Sequence, residues 1–304
     1  MAGQARTMDA KVMSTMKRLA ITLMTIATVL VLPGLRTAQA QEVEVSGPLA
    51  GAPAVIGLRV YREMRFQIQA HAAMTLTDEY SRAIMPCAQL QFHITDWLGI
   101  GLWGAFAAAN IDTTVTDQVA SKGQTNAVNV LSLPNAANFY DQIGRMKWIA
   151  APQVSFIPLR GKLGIFEKLF VDTDFYVFGG VGFVSIEERA TTRATDCPQP
   201  SLGEKIACFS ATQGNRESRV AMAPTFGAGL SLYLADFLAM TLEWRGLPFA
   251  WNTSGTDESG NARGDFPDGV IDEKDQLSHF NHMLTLGFAF YLPTEPRLST
   301  AGDD

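Results

Sequence analysis

Five charged residues occupy alternate positions in segments that read as β-strands. They are Arg65, Asp172, Asp174, Glu243 and Arg245. Their alternation predicts that all five point into a protein interior. A buried charge is costly unless it is paired, so we expect a mutually satisfied network that acts as a structural plug. A gated ion path that opens by exchange of partners is the alternative.

Two of the three cysteines lie in one polar segment. Cys197 and Cys208 enclose ten residues. In an exported protein this spacing predicts a disulfide bond that restricts a long loop. The remaining Cys87 falls at an inward position of a strand-like segment, so we expect a buried free thiol rather than a nucleophile.

An acidic segment near the end of the chain has some features of a calcium loop. Its candidate ligands are Asp268, Asp272 and Asp275. An EF-hand loop needs oxygen ligands at positions 1, 3, 5, 7, 9 and 12. With Asp268 at position five, Gly264 and Phe266 occupy positions one and three and supply no side-chain oxygen. A solvated acidic loop is the preferred interpretation, Ca²⁺ binding is the alternative, and no other cofactor is predicted.

Enzyme motifs receive little support. The run Gly99 to Gly104 matches G-x-G-x-x-G, but it lies within a period-two segment and no helix follows to hold a pyrophosphate. Small residues facing a narrow interior are the preferred interpretation. The four histidines lack a Ser or Cys in a recognisable nucleophile context. We therefore predict no catalytic residues, and a membrane enzyme would need a constellation formed only in three dimensions.

The elements that hold these residues read as strands. From Arg219 to Leu234 the chain alternates bulky apolar residues with small or hydroxylated ones, which is the period of a β-strand. Eight segments of the chain share this period, and each is near or above the 9 to 11 residues that a tilted strand needs to cross a bilayer. They are Met64 to Leu76, Ile84 to Thr95, Trp97 to Ala108, Met146 to Ile157, Phe170 to Ile186, Arg219 to Leu234, Phe237 to Trp251 and His279 to Leu292.

The start of the chain predicts export. A positive stretch at 16–18 precedes an apolar run, Leu19 to Leu32, and a small-residue cleavage site, Ala38-Gln39-Ala40. This order is typical of a secretory signal peptide, and the apolar run is short for a spanning helix. We predict a cleaved signal peptide over 1–40, a periplasmic segment over 41–63, a barrel over 64–292 and a periplasmic tail over 293–304.

The two faces of the predicted strands favour a membrane barrel over a soluble sandwich. The apolar face is long on every strand and aromatic near several strand ends, whereas the opposite face mixes small and hydrogen-bonding residues. This pattern is typical of outer-membrane barrels, with a lipid belt, aromatic girdles and a polar interior. The sequence thus predicts an all-β protein that forms an eight-stranded antiparallel transmembrane β-barrel. We expect this porin-like barrel to lie in the outer membrane of a Gram-negative bacterium.

Connection lengths agree with that architecture. Short turns are predicted at Asp96-Trp97 and Ala235-Asp236, and long polar loops after the third, fifth and seventh strands, as at the periplasmic and external ends of such barrels. A short external loop near Thr77 to Arg82 and a longer periplasmic connection, Pro158 to Leu169, are the exceptions. The formal net charge of -6 argues against a nucleic-acid partner.

Several motifs resemble the outer-membrane β-barrel domain family of myxobacteria and relatives, which is similar in architecture to the outer membrane protein A transmembrane domain. They include GAPAV (51–55), DEYSR (78–82), ITDWLGIGLWG (94–104), IAAPQVSFIPLRGKLGIFEKLFVDTDFYVFGG (149–180), APTFGAGL (223–230) and FPDGVIDEKD (266–275). The resemblance spans nearly the whole predicted mature chain. It implies an outer-membrane location and no particular reaction.

The sequence therefore predicts a monomer with a packed lumen and a structural or surface-binding role through its long external loops. A narrow channel or small-solute transporter is the main alternative, and a lipid-modifying barrel enzyme is a further one. Expected partners are outer-membrane lipids, lipopolysaccharide, the barrel assembly machinery, and a protein in the periplasm or at the cell surface.

Overall fold

The structure is a computed structural model that describes residues 62–76, 78–123, 131–165, 169–258 and 267–295. The predicted signal peptide, nearly all of the predicted periplasmic segment and most of the predicted tail lie outside the described residues. The boundaries proposed for those segments stay predictions.

Eight long strands form one closed antiparallel ring. The ring strands are β1 (Phe66–Thr75), β2 (Ser81–His93), β3 (Leu98–Phe106), β5 (Arg145–Ile165), β6 (Leu169–Arg189), β8 (Arg216–Ala235), β9 (Leu238–Trp251) and β11 (Leu277–Leu292). A short β4 (Ala109–Asp112) continues from β3 and pairs with β2. Two further short strands, β7 (Thr192–Arg193) and β10 (Val270–Ile271), pair with each other outside the ring.

Closure comes from the first strand, which pairs on both sides. Phe66 is opposite Phe92 of β2 and also opposite Leu292 of β11. Because every ring strand has two neighbours, the ring leaves no open edge. A closed barrel is the form in which strands can satisfy their backbone groups inside a bilayer. The predicted eight-stranded antiparallel barrel is confirmed.

The predicted faces are also confirmed. On β9, Leu242 is 46% exposed and points outward, whereas Thr241 beside it is 1% exposed and lies in the lumen. The same alternation of exposed apolar and buried polar residues runs along β1 from Phe66 to Thr75. Outward-facing aromatic rings pair at the periplasmic rim, where the exposed Phe66 contacts the half-buried Phe92 with ring centroids 4.8 Å apart. This apolar exterior around a polar interior is that of an outer-membrane β-barrel protein.

One periplasmic connection differs from the prediction. The sequence predicts a longer connection over Pro158 to Leu169, but β5 continues to Ile165, which is opposite Leu169 of β6. A register shift between Phe156 and Leu159 interrupts the ladder around the proline. A bulge is where a strand tolerates proline, because the ring nitrogen has no hydrogen to donate. The break that looked like a loop is therefore a bulge within a long hairpin.

The external connections contain helices that the period-two pattern does not indicate. They are α1 (Thr114–Lys122), α2 (Phe139–Gln142) and α3 (Leu202–Thr212). The first begins after Thr113 and the third after Ser201, and each of these hydroxyls accepts a backbone N–H of the first helical turn. The long loop predicted between the fifth predicted strand, which ends at Ile186, and the sixth, which begins at Arg219, is shorter in the structure because β6 extends to Arg189 and β8 begins at Arg216. No helix in the described ranges is long and apolar enough to cross a membrane.

Glycines on one strand make room for aromatic rings inside the ring. A Cβ atom at Gly227 would come within 2.4 Å of the ring of Phe178, and one at Gly229 within 2.3 Å of the ring of Tyr176. The small face of β8 is thus a requirement of the inward aromatics on β6. Gly99 and Gly101 lie in β3, so the dinucleotide-like motif is part of a strand.

The lipid-facing assignment can be tested on β9. We expect Leu242→Arg to destabilise the barrel by roughly 2–4 kcal/mol, because it places a cation near the middle of the bilayer. Thr241→Arg should instead act by crowding the lumen. The measurement is equilibrium unfolding in liposomes compared with detergent micelles. The assignment would be contradicted if Leu242→Arg lowered the free energy of unfolding by the full amount of roughly 2–4 kcal/mol in micelles but not in liposomes.

Candidate functional site

The periplasmic end of the lumen holds a buried ionic cluster. Arg62 precedes β1, yet its side chain is 2% exposed and forms an ion pair and a hydrogen bond with Asp174 of β6. The guanidinium also donates to the hydroxyl of Tyr233, and that hydroxyl donates to Asp174 at 2.8 Å. The hydroxyls of Tyr233 and Tyr291 are 3.2 Å apart. Arg62, which precedes the ring strands in the chain, thus fills the periplasmic end of the lumen.

A second arginine at this end binds backbone carbonyls. Arg65 donates from Nε to the carbonyl of Pro293 at 2.9 Å and from Nη2 to that of Asp236 at 3.1 Å. Its guanidinium carbon lies 5.3 Å from the ring centroid of Tyr291. Arg65 therefore joins the start of β1 to the end of β11 and to the turn between β8 and β9.

A fully buried ion pair occupies the middle of the lumen. Glu243 and Arg245 are two residues apart on β9, so both point inward, and their carboxylate and guanidinium are 2.8 Å apart. Arg245 also donates to Gln153 at 2.8 Å, and its guanidinium carbon lies 4.1 Å and 4.3 Å from the ring centroids of Trp103 and Phe178. The carboxylate and guanidinium thus compensate each other's charge inside the lumen, as a buried charge requires, although Nε of Arg245 has no hydrogen-bond partner among the described residues.

The five charges predicted to form one network thus lie in different surroundings. Glu243 and Arg245 contact each other, Asp174 contacts Arg62, and Arg65 contacts carbonyl groups. Asp172 is half-buried on β6, two residues before Asp174 on the same face of the strand. Sequence reasoning did not find Arg62, since the first period-two segment begins after it.

Polar and apolar layers fill the space around these ion pairs. Near the base, the imidazole Nε2 of His93 lies 2.6 Å from the amide oxygen of Gln67, and the amide nitrogen of Gln91 donates to Ser155 at 2.6 Å. Towards the external end the lumen is apolar and fully buried. That layer includes Met85, Met146, Ile149, Val184, Ile186, Leu247, Phe249, Trp251 and Met283.

The three long external loops interlock into one layer, which we call the external cap (described residues within 113–144, 190–215 and 252–276). Gln142, buried at the end of α2, donates to the carbonyls of Ser254 and Gly255 at 3.0 Å and 3.1 Å and accepts from the amide of Gln213 at 2.9 Å. A single side chain thereby joins all three loops. Gly255 has φ of +64°, and a Cβ there would come within 2.2 Å of the Gln142 carbonyl.

Arginine side chains reinforce the cap at its base. Arg189 donates to the carbonyl of Gly255 at 3.1 Å and to the hydroxyl of Thr212 at 2.8 Å. Arg219 forms a bidentate pair with Glu188, and that carboxylate also accepts the backbone N–H of Asn252 at 2.7 Å. The cap is therefore bonded to the strand ends as well as to itself.

The predicted disulfide is confirmed, and it lies inside the cap. Cys197 and Cys208 are bonded, with their Cα atoms 5.8 Å apart. Cys197 is fully buried with Leu131, Phe209 and Ile271, so residues of all three loops meet at the bridge. Cys87 is free and buried on β2, which confirms its predicted inward position.

The acidic segment caps turns with its carboxylates. Asp272 accepts the backbone N–H of Lys274 at 2.8 Å, and Asp275 accepts those of Asp272 and Glu258 at 2.7 Å and 2.8 Å. Asp268 accepts the N–H of Val270 at 3.0 Å. In the described part of the chain no three His, Cys, Asp or Glu side chains are grouped so as to hold a metal ion. Calcium binding by this loop stays an untested alternative to the predicted solvated acidic loop.

A cavity of about 160 Å³ opens at the external end between the β1–β2 loop and the cap. It lies beside the ends of β9 and β11 and is reached from outside the barrel. Its lining residues are Glu79, Tyr80, Trp251, Asn252, Thr253, Glu258, Asp275, Leu277 and His279. Sequence reasoning did not find this site, because it draws on three separate segments.

Comparison with known proteins adds little to the assignment of the fold. No family model and no curated protein matches the chain. Among solved structures, the N-terminal β-barrel domain of Pseudomonas aeruginosa OprF is 10% identical, with 76% of this chain and 98% of that domain covered and a TM-score of 0.38. The attachment invasion locus protein Ail of Yersinia pestis is 10% identical, with 76% and 99% covered and a TM-score of 0.32.

A third structure, the outer membrane protease OmpT from Escherichia coli, is 7% identical, with 79% of this chain and 100% of that protein covered and a TM-score of 0.29. Overlap this limited carries no argument about function. The fold assignment therefore rests on the strand pairing and faces of the chain itself. The resemblance to the myxobacterial family stays a prediction.

The disulfide and the ring should contribute separately to stability. Replacing both bridge residues, Cys197→Ala with Cys208→Ala, should loosen the cap, since closing a loop of this length removes roughly 3 kcal/mol of unfolded-chain entropy. The barrel should still fold and insert, because strand closure does not involve the cap. External protease should cut the 190–215 loop faster in the double variant than in the parent. Equal cleavage rates would show that the bridge does not hold the cap.

Proposed function

We propose that this outer-membrane barrel passes no solute and displays its external cap as a binding surface at the cell exterior. The observation that carries the proposal is the lumen, which holds fully buried side chains from the base to the external end. Arg62 and Arg65 occupy the base, Arg245 and Trp103 the middle, and Met85 the external layer. At eight strands a barrel is just wide enough for side chains to fill it.

The construction of the cap favours a binding role over a merely connecting one. Loops that only connected the strands would need no contacts with one another, yet here Gln142 and Arg189 join the three loops through buried hydrogen bonds. Holding the loops in one arrangement reduces the ordering cost of binding a partner. A rigid scaffold that positions loops is a common basis for recognition.

The proposal includes the surroundings of the barrel. Lipids and lipopolysaccharide contact the apolar belt, the barrel assembly machinery inserts the chain, and the protein acts as a monomer without enzymatic activity. A periplasmic protein or a cell-surface protein is the expected macromolecular partner. The exposed apolar belt supports the lipid contacts, since its residues lie on every ring strand, for example Phe66, Leu102, Val154 and Leu286.

Planar-bilayer recording tests the closed lumen. The full chain should give no sustained conductance after insertion, because the buried ion pair at Glu243 and Arg245 and the apolar layer above it block water. Insertion is verified in parallel by protection of the barrel strands from protease.

A stable open state of reproducible size would overturn the closed-lumen proposal and favour a narrow channel. A change in lipopolysaccharide or phospholipid acyl composition on overexpression would overturn the non-enzymatic role and favour a lipid-modifying enzyme. Flicker that appears when the cap is cleaved would also contradict the closed lumen, since the strands alone should block the path.

A further inference from the structure

The cavity at the external end has the dimensions of a site for a small organic group. Its volume of about 160 Å³ is close to that of cavities that hold a benzene-sized molecule. It opens towards the outside between Glu79 and Tyr80 of the β1–β2 loop and the residues that follow β9. A group of about six to eight non-hydrogen atoms fits a space of this size.

Its walls carry negative charge. Glu79, Glu258 and Asp275 line the cavity, and among the lining residues that the structure describes there is no Lys or Arg. Burial, with added repulsion from Asp257 and Asp272, raises the pKa of Asp275 to about 6. Burial and the neighbouring Glu79 and Glu258 likewise raise the pKa of Tyr80. Burial is the larger cause of both shifts, and the smaller contribution from neighbouring carboxylates is the part that would favour a positive charge.

Aromatic rings form another part of the wall, and one of them has a donor without a partner among the described residues. Trp251 is 3% exposed and packs edge-on against His279, with ring centroids 6.4 Å apart. The indole Nε1–H of Trp251 has no acceptor among the described residues. A buried N–H of this kind is costly without a partner, so an occupant with an oxygen acceptor would be favoured.

We propose that this cavity binds a small organic ammonium cation that carries an oxygen acceptor, of the size and chemistry of choline. The cationic nitrogen faces the carboxylates and the rings of Tyr80 and Trp251, and the oxygen accepts from the indole N–H. Aromatic faces attract organic cations through the ring quadrupole, and carboxylates add a direct charge interaction.

Other ligand classes fit less well. An anion would be repelled by three carboxylates, and a neutral sugar would leave their charge uncompensated. A bare metal ion needs several oxygens that converge within coordination distance, whereas two carboxylates here already accept hydrogen bonds. Asp275 accepts two backbone N–H groups, and Glu258 accepts from the hydroxyls of Ser254 and Thr256 at 2.6 Å and 2.9 Å.

The inference rests on the proposed function only in that the cap must face the outside. Binding is measured by titration calorimetry and ligand-observed NMR on the full chain in maltoside micelles, which contain no choline group. The probe is choline. The matched control is 3,3-dimethylbutan-1-ol, which has the same shape and hydroxyl with a carbon atom in place of the charged nitrogen.

Choline should bind with one site per chain, and the neutral alcohol should bind at least about tenfold more weakly, because it lacks the charge interaction. Glu79→Gln with Glu258→Gln should reduce choline affinity about tenfold or more. Trp251→Phe should reduce it about threefold to tenfold, since a smaller aromatic ring replaces the indole and the N–H donor is lost. Glu217→Gln, which removes an external carboxylate that does not line the cavity, should leave affinity unchanged.

Equal binding of choline and its neutral analogue, or an undiminished affinity in the Glu79→Gln, Glu258→Gln variant, would overturn the inference. So would a lack of choline binding. If Trp251→Phe does not fold, the two glutamate substitutions still decide the question, because Glu79 is exposed and glutamine at 258 can still accept from Ser254. A barrel that does not bind choline and does not conduct would refute this inference alone and leave the proposed function intact.

Discussion

The closed hydrogen-bonded ring is the constraint on which the rest of this structure depends. In a bilayer the backbone N–H and C=O groups of a strand must find partners in other strands, and β1 completes the ring by pairing with both β2 and β11. Eight strands then fix a lumen of small diameter. Every inward side chain must share that space, so the interior becomes a packed core, and the binding role that we propose falls to the loops.

The narrow lumen explains the arrangement of its charges. Arg245 is held between Trp103 and Phe178 while it contacts Glu243, so one guanidinium satisfies a carboxylate and fills space between two rings. Glycine at 227 leaves room for the ring of Phe178. Removing one member of such a buried pair leaves an uncompensated charge, which typically costs several kcal/mol. Each charge in the closed interior therefore depends on its partner.

The sequence predicts the wall of this barrel well, because alternation of side chains repeats along every strand and needs no long-range information. Outward Leu242 and inward Thr241 follow from period two alone. The proline at 158 predicts a loop where the chain forms a bulge, since a bulge and a loop share the same local signal. The roles of Arg62 and Gln142 depend on which distant segments meet, and the cavity near Trp251 combines the β1–β2 loop, β9 and the start of β11. Local sequence patterns do not indicate which distant segments come into contact.

The accessibility of Cys87 tests the central claim most directly, because it is the free thiol that the ring encloses. The full chain in liposomes is treated with a small, water-soluble, charged methanethiosulfonate reagent, and modification is followed by mass spectrometry, with urea-unfolded protein as the reference. A packed lumen predicts no modification of the folded protein under conditions that modify the unfolded chain completely. Modification of folded protein at a rate near that of the unfolded chain would show a water-filled path and would contradict the account.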